Sequence, residues 1–141
     1  MRFWDSSAII PLLVAEPGWE QLLNLLEQDP EVIAWWGTAL ECCSAIARRE
    51  REASLEVESA AEALDRLNML AAAWHEVVPT DRLRTTAQRL LRVHPLRAAD
   101  ALQLGAAVIA SEFEPPSLDF VCLDERLKVA AQREGFRIAS V

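Results

Sequence analysis

Leu118-Asp119-Phe120-Val121-Cys122-Leu123, followed at once by Asp124-Glu125, is the stretch on which the fold turns. Its aromatic and aliphatic residues predict a short buried strand. The acid behind it is placed to start a helix, and the pattern predicts that helix as far as Gly135. The same unit opens the chain. Arg2–Trp4 reads as a strand closed by Asp5, and Ser6 to Glu16 as a helix capped by Asp5 or Ser6. Pro11 argues against a regular helix over that whole length, because proline lacks the backbone donor. A last short strand is expected over Phe136–Ala139.

Between these ends, strand and helix signals keep alternating. After Pro17-Gly18, the stripe Trp19, Leu22, Leu23, Leu25 and Leu26 predicts a second helix, which Asp29-Pro30 breaks. Val32–Trp36 reads as a strand, and Gly37-Thr38 starts a helix that carries Glu41 about one turn in and runs into Arg48–Ala53. Leu55 onward gives a long helix, with Val57, Ala60, Ala61, Leu64, Leu67 and Leu70 near 3.6-residue spacing. Glu76–Val78 is a brief strand closed by Pro79, and Thr80-Asp81 caps a helix that reaches His94-Pro95. Leu96–Leu104 leads into an apolar helix ending near Ser111, and Pro115-Pro116 form a loop. Such alternation predicts an α/β fold, a three-layer α/β/α arrangement around a mostly parallel, short-stranded sheet, in one domain over residues 1–141. Ligands of such sheets bind outside the carboxyl ends of the strands, so Asp5 and Asp124 are expected along one edge.

Charge and cysteine usage narrow the class. With 14 basic and 22 acidic residues the net charge is −8. That balance excludes a protein living by broad adhesion to nucleic acid or anionic lipid. It leaves room for a nuclease whose acids lie under a metal ion. Three cysteines, two of them adjacent at Cys42 and Cys43, make a poor disulfide framework and read as reduced thiols. Only His75 and His94 are available beside them, so structural zinc is not expected. The opening MRFWDSS lacks a signal-peptide core, and the longest near-apolar run, Ala8–Ala15, is far short of the ~20 residues of a spanning helix. A cytoplasmic protein with no membrane partner is the expectation.

Most of the acids belong on solvated helix faces. Four instead stand in apolar surroundings: Asp5, Glu41, Asp100 and Asp124. Each has a plain structural account. Asp5 and Asp124 suit helix caps, Asp100 suits a cap or a pair with Arg97, and Thr38-x-x-Glu41 matches a capping box. Taken together they say more, since four converging carboxylates repel unless a cation neutralises them or their pKa values rise. All-oxygen ligands favour a hard divalent ion such as Mg²⁺ or Mn²⁺, and phosphodiester hydrolysis is the chemistry such an ion promotes.

Four stretches, Phe3-Trp4-Asp5-Ser6-Ser7-Ala8, Thr38-x-x-Glu41, Leu96–Leu104 (LRAADALQL) and Phe120–Leu127 (FVCLDERL), resemble those of PIN-domain ribonucleases, and within them the VapC-type toxins of toxin–antitoxin modules. The resemblance runs over essentially the whole chain, and R-A-A-D-A-L-Q-L is its most specific piece. It implies a Mg²⁺- or Mn²⁺-dependent endoribonuclease, a homodimer, an RNA substrate and a cognate antitoxin. It places the catalytic and metal-binding acids on Asp5, Glu41, Asp100 and Asp124, with Asp5 and Asp100 as main ligands. Glu41 and Asp124 would hold a second ion or position water, and Ser6 would support the site. One position departs from the pattern: Cys122 stands where relatives often carry Ser or Thr, and a thiol is the weaker donor for Asp124. Asp119 is the alternative fourth acid, at the wrong end of its strand.

An acidic protein that cuts RNA needs local cations. Arg48, Arg49 and Arg51, and Arg82, Arg84, Arg89, Arg92 and Arg97, are candidates for phosphate contacts, against the simpler expectation that each pairs with a neighbouring acid. Arg97 is singled out by its place beside Asp100. Trp4, Trp35 and Trp36 are expected in the core rather than as stacking platforms. Trp19, Leu22 and Leu26 mark a candidate dimer or antitoxin surface. The rival class is a catalytically inactive PIN-like module for protein binding or regulation, which would be expected to lack one or more acids. A phosphoacceptor receiver domain fits poorly, because Asp5 has no acidic neighbour and Lys128 falls within a helix.

Overall fold

Phe3 and Trp4 are both sealed from solvent although their side chains leave the backbone on opposite faces, which makes β1 (Arg2–Trp4) an interior strand. The computed structural model describes residues 1–141 and places β1 at the centre of five strands. The others are β2 (Val32–Trp35), β3 (His75–Val77), β4 (Asp119–Val121) and β5 (Arg137–Ile138). Their order is β3-β2-β1-β4-β5, and every neighbouring pair is parallel. The helices are α1 (Ser6–Val14), α2 (Trp19–Gln28), α3 (Thr38–Arg51), α4 (Val57–Ala73), α5 (Asp81–Val93), α6 (Ala98–Ala110) and α7 (Glu125–Arg133). The α/β/α layering follows from strand alternation. Phe3, Ile33, Trp35 and Phe120 pack with α5, α6 and α7, while Trp4, Val32, Ala34 and Val121 pack with α1 to α4. No helix is long and apolar enough to cross a membrane.

The chain leaves β1 for β2 on one side and returns through β4 on the other, so the topological switch lies between β1 and β4. A crevice outside the carboxyl ends of the strands is the usual consequence. Asp5 ends β1 and Asp124 follows β4, as their positions in the sequence require.

Several local details differ from the sequence reading. α1 stops at Val14 because Ala15 turns left-handed, with φ 52°, ahead of Pro17. Pro11 is buried inside α1 without ending it. β3 starts one residue early, at His75, and Val78 is left exposed beside the sheet edge. Trp36, expected in the core, lies outside it: β2 ends at Trp35, and the next indole is 55% exposed. Leu22, expected on a surface, is fully buried, whereas Trp19 and Leu26 remain half-buried. Cys42 and Cys122 are buried free thiols.

A clamp outside the core ties α5 to the end of α7. Arg89 Nη2 donates to Glu134 Oε1 at 2.7 Å, and His94 Nε2 lies 2.8 Å from Glu134 Oε2. Burial would raise the Glu134 carboxyl, but the bonds and charges of Arg89 and His94 outweigh it and hold the group below its ordinary 4.5. A carboxyl depressed in the folded state stabilises above its unfolded pKa, and that contribution is lost as the pH falls through the folded value. Thermal melts should therefore show Glu134→Gln less stable than wild type at pH 7, with the gap closing below about pH 4. A gap that stays constant into acid would exclude this role for the carboxylate.

Candidate active site

Asp5 is drawn inward by the ladder that precedes it. Its backbone N–H donates to Val121 O at 3.0 Å, continuing the β1–β4 pairing one residue past the strand. The side chain then caps α1, Oδ2 accepting from Ser7 N at 3.0 Å, and the residue is only 4% exposed. Ser7 reinforces the junction, because its Oγ accepts from Leu123 N at 3.0 Å where the β4 ladder has run out. Cys122 Sγ lies 3.8 Å from Asp5 Oδ2 and 3.4 Å from the Asp124 carbonyl. The thiol therefore contacts the Asp5 carboxylate and the Asp124 backbone, not the Asp124 carboxylate. Burial pushes its pKa up to about 12, so it stays protonated.

Glu41 comes from the first turn of α3, and the capping box expected for Thr38 and Glu41 is absent. The cap residue of α3 is Gly37, with no side-chain bond, and Thr38 is already helical and fully buried. Both side chains instead accept from Gln103 Nε2, Thr38 Oγ1 at 3.0 Å and Glu41 Oε2 at 2.6 Å. Ser6 Oγ adds a long donation to Glu41 Oε1 at 3.4 Å. Gln103 is 1% exposed, and its Oε1 is buried without a partner.

Asp100 lies in the first turn of α6, where Oδ2 accepts from Arg97 N at 3.3 Å. Asp124 caps α7 through Leu127 N at 2.9 Å. Of the plain structural accounts, Asp5 and Asp124 hold as caps. Asp100 is neither the cap residue, which is Arg97, nor in an ion pair with it, and instead takes the Arg97 N–H from within the first turn. The starts of α1, α3, α6 and α7 supply these four acids, and the unpaired N–H groups of helix starts favour negative charge.

Asp5 and Glu41 feel the acids around them. Asp5 is raised above its ordinary value chiefly by burial, and the charges of Asp100 and Asp124 add to the rise against bonds from Ser7. Glu41 is pushed up to about 7, again mainly by burial; the Gln103 bond opposes this, and the Asp5 and Asp100 charges reinforce it. Nevertheless, no three His, Cys, Asp or Glu side chains close around a common point. Each head is held separately, Asp5, Asp100 and Asp124 by their own helix starts and Glu41 by Gln103. Asp119 is excluded from the group, since at the amino end of β4 it pairs with Arg137 at 3.0 Å and Arg2 at 3.7 Å.

Arg97 and Arg126 line an open depression with Asp100, Asp124 and Glu125, and neither is engaged in an ion pair. Of the other candidates, Arg49 pairs with Glu16, Arg89 with Glu134 and Arg84 at 3.8 Å with Asp81, and Arg82 lies over the Phe113 ring at 4.3 Å, while Arg48, Arg51 and Arg92 form no ion pair. Arg126, Ser7 and Gln103 were not among the residues singled out from sequence. Gln103 had a readable signal, as the lone polar residue in an apolar run, three places after Asp100 and so on the same helical face.

The family model of the PIN domain matches residues 2–131. Ribonuclease VapC45 of Mycobacterium tuberculosis (strain CDC 1551 / Oshkosh) and Ribonuclease VapC49 of M. tuberculosis (strain ATCC 25618 / H37Rv) are each 28% identical over 137 residues. Each alignment covers 97% of this chain and 93% of the relative. Among solved structures, FitAcB from Neisseria gonorrhoeae superposes with a TM-score of 0.69 at 16% identity, covering 99% of this chain and 97% of that one. A toxin–antitoxin complex from Klebsiella pneumoniae gives 0.62 at 14% identity, with coverages of 88% and 87%. At these identities the structures support the fold alone.

A carboxyl whose folded pKa is raised stabilises below its unfolded pKa of about 4.5, and that stability is lost as the pH rises through the folded value near 7. In chelator-treated protein the melting temperature should therefore fall between about pH 5 and pH 8. Glu41→Gln should flatten that slope, and an equally steep slope in the variant would rule out Glu41 as its source.

Proposed function

The chain belongs to the PIN domain family, and on that footing we propose that it is a divalent-metal-dependent endoribonuclease, the toxin of a toxin–antitoxin pair. One observation carries the reading: the starts of four different helices bring Asp5, Glu41, Asp100 and Asp124 to the switch-point edge of a parallel sheet. The curated relatives are named as ribonucleases, and the Klebsiella structure is described as a toxin–antitoxin complex.

The donor set suits a hard cation. It is all oxygen, and the upward shifts of Asp5 and Glu41 mean that the chain alone does not stabilise the full negative charge of the cluster. Asp5 and Asp100 would be the main ligands of Mg²⁺ or Mn²⁺; Glu41 and Asp124 would hold a second ion or orient water. When bound, the metal supplies polarisation of the phosphoryl oxygen and activation of water. The remaining work falls to the protein. Gln103 fixes the Glu41 head through its amide, Ser7 anchors the loop beneath Asp5, and Ser6 touches Glu41 from α1. Arg97 and Arg126 lie beside Asp100 and Asp124, where they would hold flanking phosphates of the strand. Asp124 is exposed, Asp100 half-buried and Asp5 buried, so the crevice is most open beside the starts of α6 and α7.

An antitoxin partner is supported by a cleft across α1, α2 and α4, lined by Leu12, Trp19, Leu23, Leu26 and Leu70 with Arg66 at its rim. A homodimer and a cytoplasmic setting belong to the same proposal.

The test compares wild type with Asp5→Asn and Asp100→Asn on total cellular RNA, with Mg²⁺, Mn²⁺ or EDTA. Wild type should give discrete cleavage with metal and none with EDTA, and each variant should lose roughly 100-fold or more. Both amides still accept a hydrogen bond, so the helix caps survive. Arg97→Ala should weaken cleavage without altering the melting temperature. Folded wild type that is silent with both ions would overturn the nuclease reading, and cleavage surviving in both Asp variants would overturn the site.

A further inference from the structure

Trp36 is the most exposed of the five tryptophans, yet its position is fixed. Its backbone N–H donates to Val77 O at 2.9 Å, just past the end of β2, so the indole is carried on the sheet rather than on a loose loop. Beside it Trp35 is 7% exposed, and the two rings meet edge-on with centroids 6.2 Å apart. Gly37 follows, and a Cβ there would stand 2.5 Å from Trp35 Nε1, so the turn into α3 closes directly over the indole. Trp35, Trp36, Pro79, Leu102 and the Asp81–Arg84 pair line an open groove between the ends of β2 and β3 and the start of α5.

The groove shares an edge with the acids. Trp36 follows the carboxyl end of β2 as Asp5 follows that of β1, and Glu41 lies one turn into the helix that Trp36 introduces. An exposed indole on a fixed backbone, at the same sheet edge as the acids, suits a flat, partly polar occupant. Arg84 adds a guanidinium at the rim, and its contact to Asp81 is a long 3.8 Å between two solvated side chains, which leaves it free to turn to a phosphate. Aromatic side chains and guanidinium planes together are the means by which single-stranded RNA is held.

We propose that the groove formed by Trp35, Trp36 and Arg84 is a base-binding subsite, which stacks one unpaired RNA base on Trp36 and directs the strand to the carboxylates. The proposal rests on the ribonuclease reading for the direction of the strand, and it makes single-stranded RNA, not duplex, the preferred substrate at this end of the site.

Binding is measured separately from cleavage, in the full-length Asp100→Asn chain with Mg²⁺ present. The probes are a fluorescently labelled uridine octamer, the same octamer with abasic positions, and a duplex of equal length. The uridine octamer should bind tighter than the other two, and Trp36→Ala should weaken it roughly 5- to 100-fold while Trp36→Phe retains most of the affinity. Arg84→Ala should weaken it less and reduce its salt dependence. Equal affinity for the abasic octamer, no loss in Trp36→Ala, or no detectable binding would overturn the subsite. If Trp36→Ala instead converts a dimer to a monomer in sedimentation, with RNA affinity unchanged, the face belongs to a second copy and the subsite is wrong. Failure of the ribonuclease reading shows up separately, as silent wild type in the cleavage assay, because octamer binding does not depend on turnover.

Discussion

The molecule is organised around a charge placed where water barely reaches it. Asp5 sits at the end of a strand buried on both faces, and the β1–β4 ladder runs on through its own backbone, so the carboxylate is held largely out of solvent at the floor of the crevice. Everything near it answers that constraint. α1 begins there, so its first amide groups can bond the oxygens; Ser7 closes the β4 side; and a thiol, not a second anion, fills the space beside it. The other three acids approach from helix starts, whose free amide groups partly offset their mutual repulsion. Without that arrangement a switch-point crevice carrying four carboxylates would cost several kcal/mol.

Much of this was legible in the sequence because its rules are local. Strand-then-acid at Trp4-Asp5 and Leu123-Asp124, together with alternating helix and strand signals, dictates a parallel sheet whose carboxyl edge collects the acids. What stayed hidden depends on long-range partners. T-x-x-E at Thr38–Glu41 has the spacing of a capping box, but Gln103, 62 residues beyond Glu41, takes both side chains for itself. The capping geometry lost because Thr38 entered the helix and became buried, where an amide from α6 was its available partner. Ser6 and Ser7 are alike in sequence, and only the pairing of β1 with β4 decides which hydroxyl faces the strand end.

Tryptophan placement shows the same division. Periodicity puts Trp35 and Trp36 in one strand, and alternation alone predicts opposite faces, both covered in a three-layer fold. The sheet ends between them, however, and an indole one residue past the last covered position has no layer above it. β3 is short and lies at the sheet edge, with His75 and Glu76 exposed, so nothing on that side reaches over Trp36. A one-residue error in a strand boundary thus decides whether an aromatic ring is core or surface.

The double duty of three acids bears on how such a chain changes over generations. At positions 5, 100 and 124 folding asks only for a hydrogen-bond acceptor at a helix start, and Asn, Ser or Thr would meet that demand without charge. The negative charge is surplus to the architecture, and in the buried Asp5 it works against it. A lineage released from its chemistry would therefore keep the fold while drifting to neutral acceptors at these sites. At 41, where the side chain only answers an amide on a distant helix, the paired positions 41 and 103 would be expected to drift together.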